Sequence, residues 1–146
     1  MQIISINFDK VLGERKKPLE VPLKVQTSIK IKEVKEEDLN LTNKKEAALS
    51  FVFEYAVDYQ QDQGTVLLQG SVLCTGDKAE LDAAYKDWKK TKKFNPEMSK
   101  EILNNVFLRC NIKALLFEQE VALPPHIVLP RLEQGKKKSK AEEYIG

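Results

Sequence analysis

Hydrophobic and polar residues alternate along four stretches in the first half of the chain. In the first stretch, Ile4, Ile6 and Phe8 alternate with polar neighbours, and in the third the alternate positions include several aromatic residues. A period of two is typical of a β-strand with one buried face. We therefore predict four consecutive strands. They cover residues 1–8, 23–32, 49–59 and 65–75.

The segments between these stretches indicate how the strands are connected. Residues 60–64 are polar and end in Gly64, which predicts a hairpin turn with the glycine available for a positive φ angle. Residues 36–46 are polar and charged, so we expect a loop there. No helical pattern separates the strands, and parallel crossovers need one. The sheet is therefore predicted to be antiparallel, as a meander or a close relative of one.

Helical periodicity dominates the second half of the chain. A short amphipathic helix is predicted after a cap at Asp77, and its lysine-rich end, residues 89–93, fits the negative pole of a helix dipole. A long helix begins at Asn95-Pro96 and runs to about Glu120. The expected fold class is α+β, with a four-stranded antiparallel sheet followed by both helices on one face. Residues 1–132 would form a single domain and residues 133–146 a charged, disordered tail.

The long helix carries two apolar stripes. A helix that is apolar on two faces needs two partners, and one small sheet covers only one of them. We predict that another subunit covers the second stripe, in a homo-oligomer that is a dimer or a tetramer. Residues 123–132 folding back over their own helix would explain the pattern equally well. The first stripe contains Leu103, Val106, Cys110, Ala114 and Phe117, and the second contains Leu108, Ile112, Leu115 and Leu116.

Two further groups of apolar residues lie outside the predicted strands and helices, apart from Leu23 at the start of the second strand. Surplus apolar surface is typical of binding sites, although each group could also be a lid on the core. One group follows the first strand, and the other follows the long helix in a stretch with three prolines. The groups are Leu12, Leu19, Val21 and Leu23, and Ile127, Val128 and Leu129.

Composition narrows the class of function. The 146 residues are 42% hydrophobic and 32% charged, with 24 basic and 22 acidic side chains and a net charge of +2. This balance argues against nucleic acid as a partner, and we expect lysines 136–140 to be a solvated tail. No secretory signal or apolar run long enough to span a membrane is present, which predicts a cytoplasmic protein without membrane insertion.

The sequence offers no catalytic constellation. His126 is the single histidine, and we expect it to be a partly exposed residue. No CxxC or HExxH spacing suggests a metal, and the isolated glycines build no phosphate-binding loop. Cys74 and Cys110 are expected to be thiols in the core, with a buried disulfide as the alternative. We predict a protein that is not an enzyme and that uses no cofactor or metal.

The order of these elements resembles the SecB family of export chaperones over about residues 3–132. The resemblance is carried by the strand pair Ala-Leu-Ser-Phe-Val-Phe-Glu-Tyr-Ala-Val and Gly-Thr-Val-Leu-Leu-Gln-Gly-Ser-Val-Leu, by the helix that starts Asn-Pro-Glu-Met, and by the Leu-Pro-Pro-His-Ile that follows it. The resemblance implies a sheet that pairs across subunits through the first strand, and long helices between the sheets of a dimer of dimers. Ile4 and Ile6 would then join the second helix stripe in the oligomer interface.

The resemblance also implies apolar grooves that hold unfolded polypeptide without ATP. Contact with a translocation ATPase is doubtful, because the strand positions Gln69 and Ser71 are neutral and the tail starts with lysines. The expected function is that of a holdase, with a possible link to protein export. A protein–protein adaptor, or a chaperone for one client such as an antitoxin, is the alternative. The implied groove residues are Leu19, Val21, Leu23, Leu123, Ile127, Val128 and Leu129.

Overall fold

The computed structural model describes residues 1–41 and 44–132, where four long strands precede two helices. The predicted tail, residues 133–146, lies outside the described residues. Both helices pack on the sheet, with α2 over β1 and β4 and α1 over β3 and β2. The α+β prediction is therefore confirmed. The elements are β1 (Gln2–Arg15), β2 (Val25–Leu41), β3 (Lys44–Tyr59), β4 (Gly64–Thr75), α1 (Lys78–Thr91) and α2 (Pro96–Glu120).

The sheet is antiparallel throughout, with the strand order β1-β4-β3-β2. Strands β2, β3 and β4 form a meander, as the sequence predicts. Strand β1 pairs with β4 and not with β2, its neighbour in sequence. The β1–β2 connection therefore spans the width of the sheet, and β1 and β2 are its two edges.

The core lies between the inner face of the sheet and one stripe of each helix. The alternate apolar residues of β3 are all fully or nearly fully buried. Complete burial of such a side chain stabilises the fold by about 1.5–3 kcal/mol. On α2 the buried positions recur every four residues, which is the spacing of a single helical face. These positions are Met98, Ile102, Val106, Cys110, Ala114 and Glu118.

Strand β1 departs from the simple alternation that its sequence suggests. Ile3 pairs with Cys74 and Ser5 pairs with Leu73, so Ile4 is an additional residue in a β-bulge. The bulge reverses the facing of the residues before it, which leaves Ile4 exposed while Ile6 packs against the core. The prediction that Ile4 and Ile6 share one face was wrong for this reason. The strand also continues to Arg15, well beyond the predicted end.

The predicted loop was wrong for residues 36–41 and 44–46, and its residues 42 and 43 lie outside the described part of the chain. Strand β2 continues to Leu41 and β3 begins at Lys44, with backbone pairing along the whole extension. Charged side chains obscured this hairpin in the sequence. The pairing depends on backbone hydrogen bonds, which charged side chains do not prevent when they are exposed.

The turn between β3 and β4 uses its residues differently from the prediction. Positive φ angles occur at Gln61 (60°) and Asp62 (57°), and Gly64 is not in that region. Gly64 instead provides space, because a Cβ atom there would lie 2.6 Å from Leu123 Cδ2. Both helices begin where the sequence predicts. The Asn95 side chain accepts a hydrogen bond from the Glu97 backbone N–H at 2.9 Å, whereas the Asp77 side chain makes no capping hydrogen bond.

Candidate functional site

An apolar groove runs between β1, α2 and the residues that follow α2. Residues 123–132, which contain three prolines, are called the proline segment from here on. The groove encloses about 1160 Å³ and is open to solvent along its length. Its walls are mainly aliphatic and aromatic. The lining residues are Ile6, Phe8, Arg109, Ile112, Lys113, Leu115, Leu116, Glu118, Gln119, Leu123, Pro125 and Leu129.

The groove is open because the second stripe of α2 has no partner among the described residues. Leu108, Ile112 and Leu116 are 62%, 63% and 53% exposed. The alternative in which the proline segment folds over this stripe is contradicted for the described part of the chain, and Val128 is itself 100% exposed. The proline segment borders the groove without closing it. Large apolar side chains exposed side by side are typical of surfaces that bind another molecule.

The start of the proline segment is held firmly against the sheet. Leu123 is buried beside Gly64, and its backbone N–H donates a 2.8 Å hydrogen bond to the Glu118 carbonyl oxygen. The Tyr59 hydroxyl donates to the carbonyl oxygen of Pro124. These contacts fix one end of the groove wall.

A buried polar cluster anchors the next part of the segment. His126 Nδ1 lies 2.5 Å from Glu118 Oε1, and both side chains are 1% exposed. His126 Nε2 lies 2.9 Å from the Tyr55 hydroxyl and 3.0 Å from Asn111 Oδ1. The prediction of a partly exposed histidine is therefore wrong for the side chain. The sequence could not reveal this pair, because Glu118 lies eight residues earlier on α2 and approaches His126 only once the chain has folded.

Burial controls the ionisation of this cluster. It raises the pKa of the Glu118 carboxyl, although the neighbouring His126 opposes that shift. Burial also raises the pKa values of the Tyr55 and Tyr59 hydroxyls, so both remain protonated donors at neutral pH. The cluster is therefore a set of satisfied hydrogen bonds beneath the groove wall.

The β1–β2 loop, residues 16–24, meets the same end of the sheet. The backbone N–H groups of residues 16 and 17 donate to the Gln63 carbonyl oxygen, and the Glu20 N–H donates to Gln63 Oε1 at 2.7 Å. Leu19 and Leu23 are half-buried against the core, whereas Val21 is exposed. None of these three predicted binding residues lines the groove.

The structure instead combines residues from two predicted sets in one surface. Of the residues predicted for an oligomer interface, four line the groove, as do two of those predicted to bind polypeptide. The predicted binding residues Ile127 and Val128 lie beside it, on the exposed part of the proline segment. The residues shared with the groove are Ile6, Ile112, Leu115, Leu116, Leu123 and Leu129.

Sequence reasoning missed three groove residues of particular interest. Phe8 was assigned only to the core, Lys113 was noted only as an interruption of an apolar run, and Arg109 was not considered. Both cations could have been identified, because Arg109 lies three residues before Ile112 and Lys113 three residues before Leu116, and so each borders the second apolar stripe.

The opposite, solvent-facing side of the sheet carries a neutralised acid. Glu54 lies 2.9 Å from Lys32 Nζ and 3.8 Å from Lys30 Nζ, and it accepts a 2.9 Å hydrogen bond from Gln69. The hydrogen bond from Lys32 lowers the pKa of the Glu54 carboxyl. This part of the face therefore presents no net negative charge.

Both cysteines are buried free thiols, and burial raises the pKa of each to about 12. The disulfide alternative is thus contradicted. Within residues 1–41 and 44–132, no group of three or more His, Cys, Asp or Glu side chains could hold a metal ion. Neither described helix is long and apolar enough to cross a membrane.

Comparison with solved structures gives a neighbour for the whole fold. The chain matches the SecB-like chaperone Rv1957 of Mycobacterium tuberculosis, determined in complex with a ChAD peptide from the Rv1956 HigA1 antitoxin, with a TM-score of 0.54 and 16% sequence identity. The match covers 92% of this chain and 91% of that chain. No protein-family model and no curated protein matches the sequence. At this identity the similarity concerns the fold alone, and the chain has a SecB-like fold.

Proposed function

We propose that this protein is an ATP-independent chaperone that holds unfolded or non-native polypeptides in its apolar groove. The observation that carries the proposal is the row of exposed apolar side chains on α2, beside an open groove of about 1160 Å³. The surface of a folded globular protein seldom has an apolar ridge that fits such a groove. An extended chain, by contrast, presents apolar side chains that can enter it. Binding would be driven by burial of apolar area, which needs neither nucleotide nor a defined sequence.

The energetics fit reversible holding. Each large apolar side chain that becomes fully buried contributes about 1.5–3 kcal/mol, before the entropy of ordering the client is subtracted. A few such side chains give an affinity sufficient to slow aggregation. They also allow release when the client refolds, because a folded client buries the apolar side chains that would otherwise bind the groove.

We also propose that the protein assembles as a homo-oligomer. Strand β1 is an edge strand whose one partner in the described sheet is β4, and long exposed edges favour pairing with another chain. Ile4, placed outward by its bulge, is available at that edge. Ile112 and Leu116 could face either a second copy or a client, so the oligomer determines how much of the groove remains free.

A chaperone for one client is the second candidate. It is supported by the neighbour of similar fold, whose structure contains a peptide from an antitoxin. An adaptor that binds a folded partner would use the same groove. A role in export has weaker support, because Glu54 on the open sheet face is already paired with two lysines. We propose a cytoplasmic location for either function.

The polar cluster supports a function without catalysis. A general acid or base must reach the substrate proton, and the His126 and Glu118 side chains are almost completely buried and already bonded to each other. No other histidine is present in the sequence. We therefore propose that the protein is not an enzyme.

Light-scattering mass followed by an aggregation assay tests the proposal. We expect stoichiometric amounts of the native oligomer to suppress aggregation of a chemically unfolded protein without nucleotide. The double substitution Ile112→Ser/Leu116→Ser should weaken client binding by at least about tenfold, because two apolar side chains no longer contribute buried area. Both residues are exposed, so the free energy of unfolding of the subunit should change little.

Leu132→Ser is the matched control, since Leu132 is exposed and does not line the groove. It should leave client binding unchanged. Absence of suppression by a wild-type oligomer of verified mass would refute the chaperone proposal. A loss of mass in the double variant would instead assign Ile112 and Leu116 to the subunit interface.

A further inference from the structure

Two cations stand at the rim of the groove without a nearby counter-charge. Arg109 and Lys113 are one helical turn apart on α2, and both line the groove. In the part of the chain that the structure describes, neither forms an ion pair. Lys113 Nζ lies 4.6 Å from the centroid of the Phe8 ring, which keeps its charge above the apolar wall.

The one carboxylate that lines the groove does not neutralise them. Glu118 is bonded to His126 at 2.5 Å and its side chain is buried. The Glu118 carboxyl is 1% exposed and already has His126 as its partner. A ligand in the groove therefore meets an apolar wall and two positive charges, that of the exposed Arg109 and that of the half-buried Lys113.

The spacing of the charges matches an extended chain. Residues four apart in a helix are separated by about 6 Å along its axis. Alternate residues of a β-strand are separated by about 6.6 Å. The groove follows α2 from Arg109 to Gln119, which is about 15 Å, the length of about five extended residues. Two carboxylates at positions i and i+2 of such a segment could each approach one cation, while the intervening residue faces the apolar wall.

We infer that the groove selects extended apolar segments whose alternate residues are Asp or Glu, and that Arg109 and Lys113 set this preference. The inference rests on the proposed function and specifies its class of client. A basic apolar segment would bring its own positive charges close to Arg109 and Lys113, which is unfavourable. An acidic segment would instead place carboxylates beside these two cations. Both cations are exposed or half-exposed, so the effect depends on salt and is moderate.

Fluorescence anisotropy with short capped peptides tests the inference. Three peptides share the same flanks and carry a centre of alternating Ile with Glu, Gln or Lys. We expect the Glu peptide to bind the wild-type oligomer about three- to tenfold more tightly than the Gln peptide at low salt, with the Lys peptide weakest. Added salt should reduce the differences.

Substitutions then locate the preference. Arg109→Gln/Lys113→Gln should bring the Glu and Gln peptides to within about twofold of each other without weakening the Gln peptide. Arg109→Gln alone leaves Lys113 and introduces no new charge beside its contact with Phe8. This single variant replaces the double variant if the latter folds poorly, and it should reduce the advantage of the Glu peptide. Lys86→Gln/Lys90→Gln removes the same net charge from the exposed surface of α1, away from the groove, and should preserve the full preference.

The outcomes separate this inference from the proposed function. Equal binding of the three peptides by an oligomer that suppresses aggregation would overturn the inference and leave the chaperone proposal intact. Loss of the preference in the α1 variant would attribute it to net charge and would also overturn the inference. If no peptide binds and the oligomer mass falls on substitution of Ile112 and Leu116, a second copy occupies the groove and the inference is wrong.

Discussion

The His126 imidazole and the Glu118 carboxylate are bonded at 2.5 Å with both side chains 1% exposed. The bond joins the last turn of α2 to the proline segment. Tyr55 and Asn111 complete the cluster from the sheet and the helix. Together with Leu123, this pair determines where one wall of the groove lies, although neither residue is part of its apolar surface.

Replacement of His126 should therefore destabilise the protein. His126→Ala leaves a buried carboxyl without its main partner, which we expect to lower the free energy of unfolding by about 3 kcal/mol. Urea denaturation monitored by circular dichroism measures the change. Val128→Ala, two residues later and fully exposed, is the control and should alter stability by less than about 0.5 kcal/mol. A small effect of His126→Ala would mean that the segment is held mainly by Leu123 and Tyr59.

Glu118 should make stability depend on pH in a defined direction. Burial raises its pKa above the usual 4.5, so the folded protein retains a proton that the unfolded chain has released. The contribution of Glu118 to the free energy of unfolding should therefore decrease as the pH rises from 4.5 to the raised pKa, and remain constant above it.

Denaturation of the wild type and of Glu118→Gln across the acidic to neutral range tests this dependence. The difference in the free energy of unfolding, wild type minus variant, should decline with increasing pH in that window. The two proteins share every other side chain, so the difference isolates the carboxyl of residue 118 and its interactions with His126, Tyr55 and Tyr59. A difference that increases with pH would show instead that His126 stabilises the ionised carboxylate in the folded state.

Gly70 is predicted to be intolerant of any side chain. A Cβ atom there would lie 2.0 Å from the Asn7 carbonyl oxygen, because the β1 backbone approaches β4 closely between its two bulges. Gly70→Ala should displace β1 and lower stability by about 1–3 kcal/mol, as overpacking does in cores. Ser71→Ala, at the next position of β4, should have a much smaller effect. Equal thermal stabilities of the two variants would contradict this close approach of the strands.

The two cysteines should be unreactive in the folded protein. Their thiols are buried with pKa values of about 12, so the reactive thiolate is scarce at neutral pH. We expect an alkylating reagent to modify neither Cys74 nor Cys110 under native conditions, and both after denaturation without reductant. Mass spectrometry counts the modified thiols. Rapid native labelling of either residue would reveal local opening between the sheet and α2.

The elements with regular periodicity were predicted correctly from sequence. The alternation in β3 and the cap at Asn95 each depend on neighbouring residues, so a sequence window contains the information needed. The bulge at Ile4 and the extension of β2 to Leu41 were missed. The bulge arises from pairing with β4, which is distant in sequence, and the extension arises from pairing with β3. Pairing of backbone groups leaves little trace in the side-chain pattern.

The groove was only partly predictable. The second stripe of α2 correctly indicated an uncovered face, since Leu108, Ile112 and Leu116 are more than half exposed. From sequence, the apolar residues were divided between an oligomer interface and a separate polypeptide-binding site. In the structure, β1, α2 and the proline segment instead border a common groove. Leu19 and Val21 were grouped with that segment, yet the loop that holds them lies outside the groove.

The sequence alone determined the number of strands, the two helices and the presence of apolar surface beyond what one core requires. These properties follow from local periodicity and composition. Tertiary structure decided that β1 lies beside β4, that Arg109 and Lys113 face the same groove as Phe8, and that Glu118 is buried against His126. Each of these contacts joins residues from separate elements. The contacts are stabilised by burial and pairing, which exist only after the chain has folded.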